Sequence, residues 1–217
     1  MSKKRVAVIG SGPVGETLAN GFLAHGYHVM RASRSPEKLA DWLDRAGERA
    51  HTGNPAAASA WANTVVLAVK GGAAESTLQL CGIENLAGKT VIDTTNPIAE
   101  APPENGVLRF FTTLDESLME RLQRAAPEAH FVKAFSCVGH AHMVEPEFAG
   151  EKPTMFICGN DPDAKASVVS ALEKFGWETA DMGGVESARA IEPLCMLWCI
   201  PGFRENSWNH AFKLLRK

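Results

Sequence analysis

The residues with most chemistry to offer come early in the chain. Gly10-Ser11-Gly12-Pro13-Val14-Gly15 matches the pattern G-x-G-x-x-G, which alone is a weak signal. Its flanks give it meaning. A short apolar run, Val6-Ala7-Val8-Ile9, leads in, and a stretch with Val14, Leu18, Phe22 and Leu23 on one helical face leads out. In that setting Gly10 permits the tight turn, Gly12 lets a pyrophosphate approach the backbone, and Gly15 lets helix and strand pack closely. Free N–H groups and the positive end of the helix then face a diphosphate.

The next group chooses between the two nicotinamide dinucleotides. An NAD site places Asp or Glu at the end of the second strand, roughly 20 residues on, to bond the ribose 2′-hydroxyl. Here the segment reads Arg31-Ala32-Ser33-Arg34-Ser35, followed by Lys38, with no carboxylate between Met30 and Pro36. The Ser33 hydroxyl, the Arg34 guanidinium and the Lys38 ammonium suit a 2′-phosphate, and Arg34 can also lie flat on adenine. Charge-assisted hydrogen bonds of this kind contribute about 1.5–3 kcal/mol each. The segment therefore predicts NADP(H). Two further strand ends complete the expected site. Ala68-Val69-Lys70 should pass near the adenosine half and Thr94-Thr95-Asn96-Pro97 near the nicotinamide half. Asn96 can bond a carboxamide or ribose, and it can equally cap the turn before Pro97.

These groups need a scaffold, and the remaining pattern supplies one. Apolar runs at Val6–Ile9, Tyr27–Ala32, Thr64–Val69, Thr90–Asp93, His130–Phe135, Thr154–Cys158 and Glu178–Asp181 read as strands, with a weaker one at Arg49–Thr52. Helical patterns lie between them, at Pro13–His25, from Pro36, at Asn54–Trp61, Gly72–Leu80, Leu114–Ala125 and Ala164–Phe175. Such alternation predicts an α/β Rossmann fold: a doubly wound, mostly parallel sheet with helices on both faces. Residues 1–185 would form the NADP-binding domain, and 186–217 a short helical extension, interrupted near Pro201-Gly202, that packs on the domain or on a partner copy.

Composition narrows the partners. Of 217 residues, 45% are hydrophobic and 22% charged, and the net charge is −3, which argues against nucleic acid or an anionic membrane. No run approaches the ~18 apolar residues of a membrane span. The stretch after Ser2-Lys3-Lys4-Arg5 is too short for a secretory h-region. Five cysteines with no C-x-x-C pair suggest neither a disulfide framework nor a zinc site and fit a reducing compartment. The cytoplasm is the expected location.

Taken in order, Ile9–Gly15, Ala32-Ser33-Arg34, Asp93–Ile98, Lys133-Ala134-Phe135, Ile157–Asp161 and Ser187-Ala188-Arg189 resemble the coenzyme F420-dependent NADP oxidoreductases. The cytoplasmic reductase domain of the STEAP metalloreductases is similar to that family. The resemblance runs along nearly the whole chain. It implies that Ser11, Ser33, Arg34 and Lys38 hold the 2′-phosphate. It also implies that Val138-Gly139-His140 borders the nicotinamide and a small-molecule hydride partner, coenzyme F420 or a flavin. The chain departs from many relatives at Ser136, where Asn is usual, and at His140, where small residues are usual.

Hydride transfer between two rings needs stacking at about 3–3.5 Å and exclusion of water, not a protein acid or base. The sequence shows no conspicuous acid–base set, and its only tyrosine is Tyr27. His140 and His142 invite a metal or proton-donor reading, against a plainer one as pocket wall or solvated loop. Cys137 reads as a small buried residue. The tail residues Ile191, Leu194, Cys195, Leu197 and Trp198 read as a core-covering helix. Alternatively the tail is a lid or a homodimer contact, with Trp198, Phe203 and Trp208 walling a flat ring. Two rival functions stand beside hydride transfer to a deazaflavin or flavin. One is reduction of a small carbonyl or imine, though only residues 182–217 remain for a substrate domain. The other is a non-catalytic NADP(H) sensor.

Overall fold

A computed structural model describes residues 4–148 and 150–217. Ser2 and Lys3, on which the leader argument partly rests, lie outside the described residues. Six parallel strands make the central sheet: β1 (Arg5–Ile9), β2 (His28–Ala32), β3 (Ala50–Gly53), β4 (Thr64–Leu67), β5 (Thr90–Asp93) and β6 (His130–Lys133). Their spatial order is β3-β2-β1-β4-β5-β6. The order reverses at β1, so the β1 and β4 ends flank the crevice where a doubly wound sheet takes its ligand.

The central residues of β1, β4, β5 and β6 are apolar on both sides because both faces of the sheet are covered there. Val6, Val8, Val66, Ile92 and Val132 pack with Leu18 and Phe22 of α1 (Pro13–Ala24) and with Val168 and Leu172 of α6 (Pro162–Lys174). Ala7, Ile9, Val65, Leu67, Val91 and Phe131 face the other way. There they meet α3 (Pro55–Trp61), α4 (Ala74–Cys81) and α5 (Leu118–Ala125). The helix after β2 is short: a 3-10 turn over Pro36–Leu39 runs into α2 (Ala40–Ala46). The last two strands, β7 (Thr154–Ile157) and β8 (Glu178–Asp181), form their own parallel pair. Among the described residues a single antiparallel bridge, Lys133 to Cys158, joins that pair to β6.

Three expectations need correction. The fifth helix begins at Leu118 rather than Leu114, because Ser117 and Glu120 form a reciprocal capping box. Strand β6 stops at Lys133, and Phe135 turns at φ +61 instead of extending it. The tail is helical only in part. A short α7 (Ala188–Ile191) precedes α8 (Pro193–Glu205), which passes through Pro201 unbroken. The carbonyl that Pro201 cannot bond belongs to Leu197, a residue 55% exposed on the solvent side of the helix. The helix ends at Asn206 in the left-handed region, and residues 207–217 carry no helix. They run back along β7 instead: Thr154 N–H donates to the Phe212 carbonyl at 2.9 Å, and Lys213 Nζ meets Glu178 at 2.6 Å. Among the described residues no helix is long and apolar enough to cross a membrane.

The capping box carries a pH signature. Arg189 donates to Glu120 from Nε at 3.0 and 3.1 Å. That pairing, with the Ser117 bonds, outweighs burial and holds the Glu120 carboxyl down to about 2. A carboxyl depressed on folding contributes stability that is complete above its unfolded value and lost as pH falls toward the folded one. The melting-temperature gap between wild type and Glu120→Gln should therefore shrink steadily from pH 5 toward pH 2. A gap that stays constant over that range would deny the linkage.

Candidate functional site

The glycine turn sits where β1 leaves the sheet. A Cβ on Gly10 (φ +147) would lie 2.0 Å from the Ala68 carbonyl oxygen, and one on Gly15 would lie 2.5 Å from the Gly10 oxygen. Both positions are closed to side chains by the backbone. Gly12 is different: a Cβ there meets nothing within 4 Å. Its space is an open cradle at the N-terminus of α1, bordered by exposed Ser11 and Pro13. Val14 is half-buried and packs on the core below. Pro13 takes the first helical position, where a missing N–H is harmless.

At the tip of β2, Ser33 N–H bonds the Gly53 carbonyl at 3.2 Å, and the Ser33 hydroxyl accepts from Ser35 N–H at 3.2 Å. This small turn starts the 3-10 segment that carries Lys38. Arg34 and Lys38 are both exposed. Neither side chain forms an ion pair among the described residues. Two cations with a serine hydroxyl between strand end and helix match the donor set a phosphate monoester needs.

The neighbouring strand ends are tied to this turn. Gly10 N–H bonds the Ala32 carbonyl, and Ala68 N–H the Ile9 carbonyl, each at 2.9 Å. Beyond them Val69 is half-buried and Lys70 exposed. Asn96 Nδ2 donates to the Ser136 carbonyl at 2.7 Å, so the loops after β5 and β6 are clasped together. The Asn96 Oδ1 and Ser136 Oγ atoms are buried and have no hydrogen-bond partner. Buried polar atoms without partners are uncommon, and an acceptor and a hydroxyl beside the expected nicotinamide position suit a carboxamide or ribose. Pro97 is buried, with its carbonyl taken by Phe111 N–H at 2.9 Å. It shapes the turn more than it offers surface. The open cradle, the free cations and the orphaned atoms together fit NADP(H).

The loop after β6 brings Val138, Gly139 and His140 together. Val138 is buried and His140 exposed, and a Cβ on Gly139 would lie 2.7 Å from the Trp198 ring. His140–His142 is a 3-10 turn rather than an extended loop, so alternate residues do not share one side. His142 instead turns to Asn209 at 3.2 Å and to the Phe148 ring. Among the described residues no cluster of His, Cys, Asp and Glu is arranged for a metal ion. Cys137 is buried, and burial pushes its thiol up to about 12, which leaves little nucleophile at neutral pH.

The aromatic tail packs on itself. Trp198 stacks on His210 at 5.1 Å, Trp208 lies 5.5 Å from Trp198, and Phe203 meets Trp208 edge-on. Trp198 Nε1 donates to the His210 carbonyl at 2.8 Å. Trp198 thus supports Gly139 from behind and keeps only 7% of its surface exposed. A cavity of about 550 Å³ opens at the opposite, N-terminal end of the strands, lined among others by Arg5, Phe22, Asn63, Thr90 and Ser170. It touches none of the residues above, and the strand-end crevice remains the site that the fold's geometry favours.

Two features escaped sequence reasoning. Arg31 is buried beneath the glycine turn, and its signal was a charge inside an otherwise apolar strand. Lys133 is wholly buried between Asp93 at 2.6 Å and Glu192 at 2.9 Å. Opposite charges ending two neighbouring strands were visible, but Glu192 comes from the distant tail.

Comparison with known proteins places these features in context. Residues 5–97 match the family described as NADP oxidoreductase, coenzyme F420-dependent. A crystal structure of a candidate F420-dependent NADP-reductase from Arthrobacter sp. FB24 superposes with a TM-score of 0.91 at 32% identity, covering 99% of this chain and 100% of that one. The imine reductase of Aspergillus terreus, in complex with NADPH4 and dibenz[c,e]azepine, shares the fold at a TM-score of 0.67 and 18% identity, over 94% of this chain and 63% of that one. Metalloreductase STEAP3 of Rattus norvegicus is 27% identical over 202 residues, 91% of this chain and 38% of that protein. The chain thus spans less than two fifths of the length of that curated relative.

Proposed function

The chain belongs to the coenzyme F420-dependent NADP oxidoreductase family, and on that premise we propose that it binds NADP(H) at the β1–β2 crevice and aligns it with a flat-ring hydride partner, a deazaflavin such as F420 or a flavin. The observation that carries the cofactor choice is the β2 tip, where Ser33, Arg34 and Lys38 stand without an opposing carboxylate. The turn at Gly12 would take the diphosphate on backbone N–H groups. Asn96 and Ser136 would fix the nicotinamide end through their unpartnered atoms. Bound NADPH supplies the hydride; the chain's own task is alignment and dryness.

Buried Val138, held by a loop that Trp198 and the strap of residues 207–217 back up, keeps one wall of the expected ring site apolar. Ring-to-ring transfer asks for no proton at the moment of reaction, which agrees with a site whose exposed titratable group is His140 alone among Val138, Gly139 and His140. We further propose a small-molecule partner and a cytoplasmic setting, with self-association through the tail.

NADPH oxidation with a panel of acceptors tests the reading. Coenzyme F420, free flavin, a ferric chelate and a cyclic imine would each be offered at equal concentration. Turnover with F420 or flavin is expected. Turnover with the imine alone would replace the reading by a small-substrate reductase, and tight NADPH binding without turnover of any acceptor would replace it by a sensor.

A further inference from the structure

We propose that Arg31 is a positioning residue for the diphosphate turn, holding the Ser11 carbonyl inward so that the Gly12 N–H faces outward to the phosphates, and pinning the Gly12 carbonyl at the start of α1. The inference rests on the NADP(H) reading of this site. Arg31 pairs in register with Val8 on β1, one residue before the strand ends at Ala32. Its side chain is 1% exposed, in a strand whose other central residues are apolar.

From there Nη2 donates to the Ser11 carbonyl at 3.2 Å and to the Gly12 carbonyl at 3.4 Å. No cis peptide bond occurs among the described residues. In a trans peptide the carbonyl and the following N–H point to opposite sides. Pulling the Ser11 carbonyl toward the core therefore turns the Gly12 N–H toward the open cradle. The Gly12 carbonyl also accepts the first helical bond, from Glu16 N–H at 3.0 Å, so one guanidinium ties the turn to the start of α1.

The guanidinium is itself fixed. Its Cζ lies 4.9 Å from the centre of the Trp42 ring, and Trp42 Nε1 is held by Asn20 at 2.8 Å. Nη1 meets Glu16 at 3.3 Å. A plain core ion pair explains less. Glu16 is 40% exposed and also faces Arg45 at 3.6 Å, so it has water and a second cation without Arg31. Burying a guanidinium in a strand costs several kcal/mol, and an apolar side chain would fill the same place. Nη2 reaches both turn carbonyls while Nη1 reaches Glu16, a set of three contacts that a planar guanidinium makes at once.

The test compares two ligands on the full chain. NADP+ uses both the 2′-phosphate corner and the diphosphate turn; adenosine 2′-monophosphate uses the corner without the diphosphate. Arg31→Met should weaken NADP+ binding by about tenfold or more and leave the monophosphate within about twofold. Glu16→Gln should keep NADP+ affinity, because the carbonyl contacts remain. Equal loss for both ligands, no loss for either, or a Glu16→Gln variant that reproduces the Arg31→Met loss would overturn the assignment. Should Arg31→Met lack a cooperative unfolding transition, Arg31→Lys decides. A single ammonium replaces the fork imperfectly, so NADP+ weakens severalfold while the monophosphate does not, and unchanged NADP+ affinity overturns the assignment. Wild-type protein that binds neither ligand would overturn the NADP(H) reading itself and this assignment with it.

Discussion

Gly12→Val is expected to abolish useful NADP(H) binding while the protein stays folded. The added Cβ meets no protein atom within 4 Å, and Gly12 already has extended backbone angles, φ −79 and ψ 179, which valine adopts easily. Its side chain fills the cradle that the diphosphate would enter. Losing two charge-assisted backbone contacts of about 1.5–3 kcal/mol each removes roughly 3–6 kcal/mol of binding, a hundredfold or more in Kd. Stability should change by only about 1 kcal/mol, since glycine is the better residue at this helix cap. Gly10→Ala provides the contrast, because its Cβ would stand 2.0 Å from a carbonyl oxygen and should compromise folding. Titration and thermal unfolding of Gly12→Val check both halves. Near-normal NADP+ affinity in a folded variant would refute the placement of the diphosphate.

Lys133→Met should cost several kcal/mol of stability. Lys133 is fully buried, and its Nζ donates to the Thr95 carbonyl at 2.8 Å while lying 2.6 Å from Asp93 and 2.9 Å from Glu192. Burial alone would lower its pKa, but the charges of Asp93 and Glu192 outweigh it and hold the ammonium above its ordinary value. Each carboxylate has other donors. Asp93 accepts from Thr95 N–H at 2.9 Å and from its hydroxyl at 2.7 Å. Glu192 accepts from Leu118 and Met119 N–H at 3.0 Å, at the start of α5. The cluster ties β5, β6, α5 and the tail into one buried knot. Methionine fills the volume but leaves two carboxylates without their cation. Breaking such a cluster costs about 3–5 kcal/mol. In a domain of this size that lowers the melting temperature by roughly 6–20 °C, taking ~2–4 °C per kcal/mol. Denaturant unfolding measures it directly, and a change below about 1 kcal/mol would mean that the cation is replaceable by packing alone.

Local patterns were readable where the chemistry is local. The turn at Gly10–Gly15 needs only its two flanking elements, so strand, glycines and helix were all visible together. The β2 tip was readable for the same reason: Ser33, Arg34 and Lys38 lie within six residues of chain. What depends on distant partners was not. Glu192 caps a helix more than seventy residues away, and no spacing rule connects it to Asp93 and Lys133. Arg31 shows in the sequence only as a charge inside an otherwise apolar strand, and its inward turn onto the Ser11 and Gly12 carbonyls is a tertiary feature that no local pattern encodes. The strap of residues 207–217 was misread as helix because apolar residues at helical spacing continue through it. Its docking on Thr154 and Trp198 is tertiary and overrides the pattern. β7 and β8 form a separate pair because, among the described residues, only one antiparallel bridge links them to β6, a break that alternation of strands and helices does not encode.

Side-by-side calorimetric titration of the purified protein with NADP+ and NAD+, repeated on Arg34→Ala, probes the corner at the end of β2 without needing the acceptor. NADP+ should bind at least about tenfold more tightly, and Arg34→Ala should take away roughly 1–2 kcal/mol of that preference while leaving NAD+ nearly unchanged. Equal affinity for the two dinucleotides in the wild type, or a loss on Arg34→Ala shared by both, would contradict a phosphate held by Ser33, Arg34 and Lys38.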